Sequence, residues 1–225
     1  TKHQMTGNEV TTTLSSIQKK LLDHRSKNTK FIKETVPTLT DFALILKAQL
    51  TRSAHSQTPA DLATAIATAN LILREYRDAE QGMSHHSNRV AFLQARCFDY
   101  AATSLSFFYL YQRTLDEKWF NTSREILDEA ISKLGSENGL LAESIPGERI
   151  IPLRQHNLSM IYGESSIGTL DHILNRIFAL TTDDKYRKML DLHAKIISPM
   201  AKRSAVNHTD FIASCALGQE PLVAV

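Results

Sequence analysis

Apolar residues recur along most of this chain at the three- and four-residue spacing of an amphipathic helix, and strict alternation is nearly absent. One apolar stripe runs from Leu14 to Leu21, and others run along 39–50 and 62–76. Between Phe98 and Tyr111 the chain is apolar on nearly every side, which predicts a central helix covered by several neighbours. The pattern therefore predicts an all-α protein.

Cap and turn signals divide the periodic segments into about eight helices. Thr114 and Thr181 each open a predicted four-residue capping box, with an acidic residue three positions later. The region 136–165 lacks helical periodicity and carries glycine and proline at short intervals, so we predict a long loop there. The predicted organisation is a tail at 1–13, a helical domain at 14–217 that contains this loop, and an extended segment at 218–225.

Helix pairs joined by short capped turns build either open solenoids or closed α/α toroids. No motif repeats at a fixed period, as a solenoid would require. An all-apolar helix at 98–111 followed by an amphipathic helix at 117–134 is typical of the inner and outer layers of a toroid. We therefore predict an α/α toroid of the six-hairpin, glycosidase-like type, or an incomplete part of one, because eight helices are too few for six hairpins.

Composition narrows the class of protein. The chain has 225 residues, a hydrophobic fraction of 42% and a net charge of +2, which gives a real core and argues against nucleic acid as a partner. The sequence contains no apolar run of membrane-spanning length and no signal peptide, so we expect a cytoplasmic protein. Cys97 and Cys215 are far apart in apolar helical settings, which predicts two packed thiols and no cofactor.

Four short motifs occur in one order along the chain: Lys20-Leu21-Leu22 with Arg25, Thr40-Asp41-Phe42, Asp99-Tyr100-Ala101 with Leu110-Tyr111 and Trp119, and the stretch NLSMIYGES at 157–165. Together they resemble the helical domain of the thioredoxin-domain-containing, spermatogenesis-associated protein family. The resemblance implies an α/α toroid related in shape to N-acylglucosamine 2-epimerases, and a thioredoxin-like domain ahead of it.

The chain departs from that family at positions that would line the mouth of the toroid. Phe42 stands where the family has tryptophan, Ile161 where it has proline, and Glu164 where it has asparagine, and no C-x-x-C occurs. The packing residues of the motifs remain. This pattern indicates a relative that kept the fold and relaxed or redirected its site.

The start of the most apolar helix is the first candidate site. Asp99 and Tyr100 lie there, near the predicted mouth, and Tyr100 is a candidate ligand contact. Asp99 is either an acid or base with a raised pKa, or a residue that interacts with the helix dipole or an arginine. Arg25 falls on an apolar stripe and matches the family's arginine, so we expect it to reach inward, to Glu34 or Asp99.

The loop around 154–165 is the second candidate, with five polar side chains close together: Arg154, His156, Asn157, Tyr162 and Glu164. Such a set can bind a polyhydroxylated ligand, with Tyr162 stacking and Glu164 accepting hydroxyl protons, or it can be a solvated polar loop. Epimerases of this general fold use histidines for proton transfer, so the resemblance makes His156 the candidate for that role.

Other histidines are given structural roles. His85 and His86 are adjacent and lack the spacing of zinc ligands, so we predict a surface turn and no metal site. His193 lies on the apolar side of its helix and is predicted to be a hydrogen-bonded core residue.

Two functions remain open from the sequence. The first is a non-catalytic or regulatory toroid domain that works through assembly, with a second copy or a second chain completing the ring, and with a possible carbohydrate-like ligand. The second is a sugar-modifying enzyme of epimerase or glycosidase type, in which His156, Glu164 and Asp99 act as acids and bases.

Overall fold

A computed structural model describes residues 6–27, 36–56, 58–87, 92–136, 139–145, 155–160 and 163–217. The chain divides into two compact units, Thr1–Thr35 and Val36–Val225. The extended segment predicted at 218–225 lies outside the described residues, as does part of the predicted loop.

The first unit contains helix α1 (Gly7–Lys27). Its first turn is closed by a capping box, in which the Thr6 main-chain N–H donates to the Glu9 carboxylate at 2.7 Å. The helix begins at Gly7, so residues 7–13, predicted as a tail, are helical. Its apolar stripe is exposed by 41–64%, at Val10, Leu14, Ile17 and Leu21.

The second unit is built from helices and one short hairpin. In chain order its described elements are α2 (Leu39–Ser56), α3 (Pro59–Glu75), β1 (Arg77–Asp78), β2 (Gly82–Met83), α4 (Cys97–Thr114), α5 (Glu117–Leu134), α6 (Ser166–Thr181), α7 (Asp184–Arg203), a 3₁₀ turn (Ala205–His208) and α8 (Thr209–Leu217). Strands β1 and β2 pair antiparallel, with Arg77 opposite Met83. The sequence carries no signal for this hairpin, because strands of two residues have no periodicity.

The helices form two layers. Helix α3 packs on α2, α5 on α4 and α7 on α6, so each pair is an antiparallel hairpin. Helices α2, α4, α6 and α8 also pack side by side, and we call them the inner layer. Helices α3, α5 and α7 form the outer layer. This arrangement of helical hairpins confirms the predicted all-α architecture.

Helix α4 is the centre of the core, as its sequence predicts. Its buried positions include Tyr100, Leu105, Phe107 and Phe108, all at most 2% exposed. Two of its buried hydroxyls have partners on neighbouring helices: Ser104 donates to the Ser123 carbonyl of α5 at 2.7 Å, and Ser106 donates to the Ala43 carbonyl of α2 at 2.9 Å. Such partners offset the cost of burying a polar group.

The turns after α4 and α6 have the same construction. Leu115 and Thr182 adopt left-handed φ values of 56° and 54°, and the next residues, Asp116 and Asp183, are the N-caps of α5 and α7. Each aspartate accepts a hydrogen bond from the main chain two residues on, at 3.1 and 3.0 Å. The predicted capping boxes at Thr114 and Thr181 are therefore misplaced. Both threonine hydroxyls instead donate to the preceding helix, to the Leu110 and Ile177 carbonyls at 2.8 Å.

Two predictions about single residues have opposite outcomes. His193 is fully buried and its Nδ1 lies 2.5 Å from the Asp171 carboxylate, which confirms a hydrogen-bonded core residue. Cys97 is buried, but Cys215 is exposed, so the prediction that both thiols are packed is wrong for Cys215. In the described part of the chain, no helix has the length and apolarity needed to cross a membrane.

The left-handed turn gives the first testable prediction. Replacing Leu115 by glycine removes the steric cost of φ 56° and little else, because the leucine side chain is 72% exposed. We expect Leu115→Gly to raise the free energy of unfolding by about 0.5–1 kcal/mol, since the relieved strain exceeds the added chain entropy. Urea unfolding measures the change. The control is Leu44→Gly within α2, where the same substitution is expected to lower stability by about 1 kcal/mol or more. A loss of stability in Leu115→Gly would contradict the prediction.

Candidate functional site

The inner helices run in the same direction, which brings their N-terminal ends to one edge. Thr40, in the first turn of α2, contacts Asp99, in the first turn of α4, at 2.5 Å. At the other end of the same helices, Arg113 donates to the Ser53 carbonyl at 3.1 Å. The two long connections, 76–96 and 135–165, lead into α4 and α6 at the first edge. We call this edge the rim.

Asp99 connects three elements at the rim through hydrogen bonds. Its side chain is 1% exposed and accepts hydrogen bonds from the Thr40 hydroxyl at 2.5 Å and the Arg96 main-chain N–H at 2.8 Å. The same carboxylate lies 2.6 Å from His85 Nδ1. It thus links α2, the 76–96 connection and the start of α4. This is the arrangement of a helix-terminal residue, one of the two alternatives that the sequence left open.

The structure contradicts the prediction that His85 lies in a surface turn. Its side chain is 18% exposed and paired with Asp99, so it is not part of an exposed surface turn. The turn is held inward because the Leu39 main-chain N–H donates to the His85 carbonyl at 2.8 Å. Among the described residues, no three or more histidine, cysteine or carboxylate side chains are placed to hold a metal.

A different group of side chains lies inside the rim, on the face of the inner layer opposite the outer helices. Tyr109 lies nine residues after Tyr100 on α4, about two and a half turns, and so on the other side of that helix. Tyr100 faces α5, where its hydroxyl donates to Glu129 at 2.5 Å. Tyr109 faces α6, with its hydroxyl 3.3 Å from His172 Nε2. We call the face that carries Tyr109 and His172 the inner surface.

Glu164 joins this surface from the loop before α6. Its carboxylate pairs with Lys47 of α2 at 2.9 Å and accepts from the Thr169 hydroxyl at 3.4 Å. The side chains of Lys47 and Glu164 are 34% and 41% exposed, so both remain accessible to a ligand. Glu164 is one of the residues predicted for the site, whereas its contact with Lys47 was not predicted.

The electrostatics of the inner surface are dominated by burial and by positive charge. Burial, together with the charges of Arg176 and Lys47, lowers the pKa of His172 from 6.5 to about 4. The imidazole is therefore neutral at neutral pH. Burial also raises the pKa of Tyr109. The pair thus consists of a neutral base and a protonated phenol.

A cavity opens on the inner surface between α2 and α4. Its volume is about 340 Å³, and its lining residues are Lys47, Leu50, Thr51, Ala54, Tyr109, Gln112 and Arg113. This size is at the lower end of the range of small-molecule sites, roughly 300–1,000 Å³. The lining mixes an aromatic ring and apolar side chains with a few polar groups, which is the usual composition of such sites.

The structure separates the other predicted residues. His156 is half-buried, with Nδ1 2.9 Å from the Leu141 carbonyl, and Asn157 is exposed near it. Tyr100 is 0% exposed and faces the outer layer, which leaves it no surface for the predicted ligand contact. Arg154, Tyr162 and the side chain of Arg25 lie outside the described residues.

Several residues were missed from the sequence: Lys47, Tyr109, His172 and Arg176 on the inner surface, and Glu143 near Asn157 and Ser166. Glu143 is half-buried in the loop before α6, and burial raises the pKa of its carboxyl group. A signal for two of the others existed, because Thr169, His172 and Arg176 follow at helical spacing along an otherwise apolar segment. Such a polar row on an inner helix indicates a face that is not packed against a neighbour.

Comparison with known proteins shows the fold and no closer relationship. No protein-family profile and no curated protein matches the sequence. Solved structures with a similar fold include a GH76 alpha-mannanase of Bacteroides thetaiotaomicron (15% identity, TM-score 0.55, covering 74% of this chain and 45% of that one). A cellobiose 2-epimerase of Spirochaeta thermophila (13%, 0.56, 71% and 42%) and a D-mannose isomerase (17%, 0.54, 72% and 42%) are also similar.

These comparisons define the class of fold. The chain adopts the α/α toroid, glycosidase-like arrangement of helical hairpins, and it spans less than half the length of each of these structures. The identities are too low to carry a function across. They give no support to the thioredoxin-domain family, so that resemblance stays a prediction.

The role of Asp99 can be tested by stability. Asp99→Asn keeps the shape of the side chain but turns an amide NH₂ toward a hydrogen-bond donor at the rim. We expect a loss of about 2–3 kcal/mol in the free energy of unfolding, because a hydrogen-bonded buried charge is replaced by an unsatisfied group. Asp191→Asn is the control, since Asp191 is 52% exposed and its ion pair with Arg187 contributes little. Equal effects in the two variants would show that Asp99 does not hold the rim.

The pKa of His172 gives a pH dependence with a defined sign. Between pH 6.5 and about 4, the unfolded chain binds a proton at this residue that the folded chain does not bind. The free energy of unfolding therefore falls as the pH falls through this window. We expect His172→Gln to show a flatter profile there in urea unfolding at several pH values, and exposed His55→Gln to follow the parent chain. An NMR titration that placed the His172 pKa near 6.5 would contradict the argument.

Proposed function

We propose that this chain forms the sugar-binding part of a carbohydrate-modifying protein of the α/α toroid class. The observation that carries the proposal is the inner surface, where Glu164, Lys47, Tyr109 and His172 are close together and partly exposed. The fold supports the same proposal, since a mannanase, an isomerase of mannose and an epimerase of cellobiose are among the similar structures.

The chemistry of the side chains defines their proposed roles. Glu164, which pairs with Lys47, accepts hydrogen bonds from sugar hydroxyls and can transfer a proton. Tyr109 offers a ring edge and a hydroxyl to the ligand. His172 is neutral at neutral pH, and its Nε2 shares a hydrogen bond with the Tyr109 hydroxyl. It can act as a base once a ligand replaces that contact.

His156 and Asp99 take different proposed roles. Because a carbonyl oxygen only accepts, the contact with Leu141 requires the proton of neutral His156 on Nδ1. Its Nε2 is then the basic nitrogen, so His156 remains a candidate for proton transfer at the rim. Asp99 is buried beneath His85 and Thr40, and we assign it as a positioning residue.

A non-catalytic role in assembly is the second candidate. It is favoured by the apolar side chains exposed along α1, and by a match that covers less than half of each similar structure. In this alternative, a second copy or another polypeptide, with or without a thioredoxin-like domain, supplies the remaining helices. Sugar turnover separates the candidates, because assembly alone produces none.

Glu164 provides the direct test of sugar binding. The 225-residue chain is titrated with mannose, cellobiose and mannobiose, and saturation-transfer NMR and calorimetry measure binding. We expect Glu164→Gln to weaken binding about 10- to 100-fold, which corresponds to a charged hydrogen bond of about 1.5–3 kcal/mol.

The control is Glu125→Gln on the outer layer. Glu125 forms a comparable exposed pair with Arg77 at 3.0 Å, away from the inner surface. This variant is expected to bind as the parent chain does. Absence of sugar binding by the parent chain, or equal losses in both variants, would contradict the proposal.

A further inference from the structure

Positive charge on the inner surface exceeds negative charge in the described part of the chain. Lys47 is matched by Glu164 at 2.9 Å. Arg113 and Arg176 also belong to this surface, one turn after Tyr109 on α4 and one turn after His172 on α6. Among the residues that the structure describes, no carboxylate oxygen lies within 4.0 Å of either guanidinium. Two arginines therefore face this surface without a counter-ion among the described residues.

Arg176 is the more informative of the two. Arg113 donates to the hydroxyl and carbonyl oxygens of Ser53 at 3.3 and 3.1 Å, so two of its guanidinium nitrogens already have hydrogen-bond partners. The Nε–H of Arg176 is buried and has no hydrogen-bond partner among the described residues. A buried guanidinium donor without an acceptor is costly and is a natural place for a ligand anion.

Electrostatic interactions, as well as helix spacing, indicate that Arg176 lies on the inner surface. Its charge contributes to the low pKa of His172 and partly opposes the rise that burial causes in the pKa of Tyr109, so it lies close to the pair that we assign to sugar binding. The nearby carboxylate, Glu164, is already neutralised by Lys47. A second anion at Arg176 therefore meets a surface of net positive charge.

The charged side chains of a second cavity, on the outer side of the helical layers, are paired differently from those of the inner surface. A larger cavity, of about 570 Å³, lies between the β1–β2 hairpin and α5. Its two cations are both matched, Arg77 by Glu125 at 3.0 Å and Lys133 by Glu129 at 3.0 Å. Charged residues line both cavities, but the unmatched guanidinium groups belong to the inner surface.

We propose that the inner surface binds an anionic sugar, with its carboxylate or phosphate on Arg176 and its hydroxyls on Glu164 and Tyr109. This rests on the proposed sugar-binding function and adds the chemical class of the ligand. The planar guanidinium fork matches the two oxygens of a carboxylate or a phosphate, which gives this ligand both charge and geometry.

Matched sugar pairs test the ligand class on the 225-residue chain. Calorimetry compares glucose with glucuronate, galactose with galacturonate and mannose with mannuronate, and glucose 6-phosphate separates phosphate from carboxylate. We expect the acidic member of at least one pair to bind tenfold or more tightly, with a preference that shrinks as salt screens the charge. Equal affinity within every pair overturns this inference and leaves the sugar-binding proposal standing. Absence of binding by every sugar overturns both.

Arg176→Gln assigns the preference to one side chain. We expect this variant to lose the preference for the acidic sugar while it keeps the affinity for the neutral one. Arg187→Gln is the matched control, because Arg187 lies on α7 and pairs with Asp191 at 3.1 Å. A preference that survives in Arg176→Gln would overturn the assignment.

A spectroscopic readout on the unmodified chain covers the case in which Arg176→Gln fails to fold. A bound anion offsets the positive charge near His172, so its pKa is expected to rise from about 4 when glucuronate is added, and to stay unchanged with glucose. An unchanged His172 pKa in saturated glucuronate would overturn the proposed position of the anion.

Discussion

The second unit depends on the burial of helix α4. Because this helix is covered on nearly all sides, most of its buried polar groups are paired within the protein, and those partners fix its neighbours, although the Thr103 hydroxyl has no partner among the described residues. Ser106 fixes α2, Ser104 fixes α5, and Asp99 fixes Thr40 and the connection that carries His85. The packing of one apolar helix thus sets the orientation of the inner layer and the position of the rim.

That constraint also determines where a ligand can bind. The side of α4 that carries Tyr100 is occupied by α5, and the opposite side, which carries Tyr109, remains partly open. The turns at 115–116 and 182–183 have two residues each, whereas the two long connections lie at the rim. Loops of that length add Glu164 to an otherwise rigid helical surface. Ligand sites are commonly built this way, from loop residues that a rigid set of helices holds in place.

Much of the fold could be predicted from the sequence, because helical periodicity and caps are local properties. The central position of α4 followed from its uniform apolarity, and the core role of His193 followed from its place on an apolar stripe. The site could be predicted only in part. The contacts of Lys47 with Glu164, and of Tyr109 with His172, join residues that are distant in the sequence. The spacing of Tyr100 and Tyr109 places them on opposite sides of their helix, but a helix without a polar face gives no signal of which side is covered. His85 was misassigned for the same reason, since its partner Asp99 is apparent only in the folded chain.

The central claim is that sugar binding occurs on the inner surface, and mapping the site by NMR tests it most directly. The chain is labelled with ¹⁵N and ¹³C and titrated with the tightest-binding sugar, and perturbed amide and side-chain signals are assigned. We predict that the largest changes cluster at Lys47, Tyr109 and His172, on three inner helices, and at Glu164 in the loop before α6. Changes confined to the outer cavity around Gly82 and Lys133, with the inner surface unaffected, would contradict it.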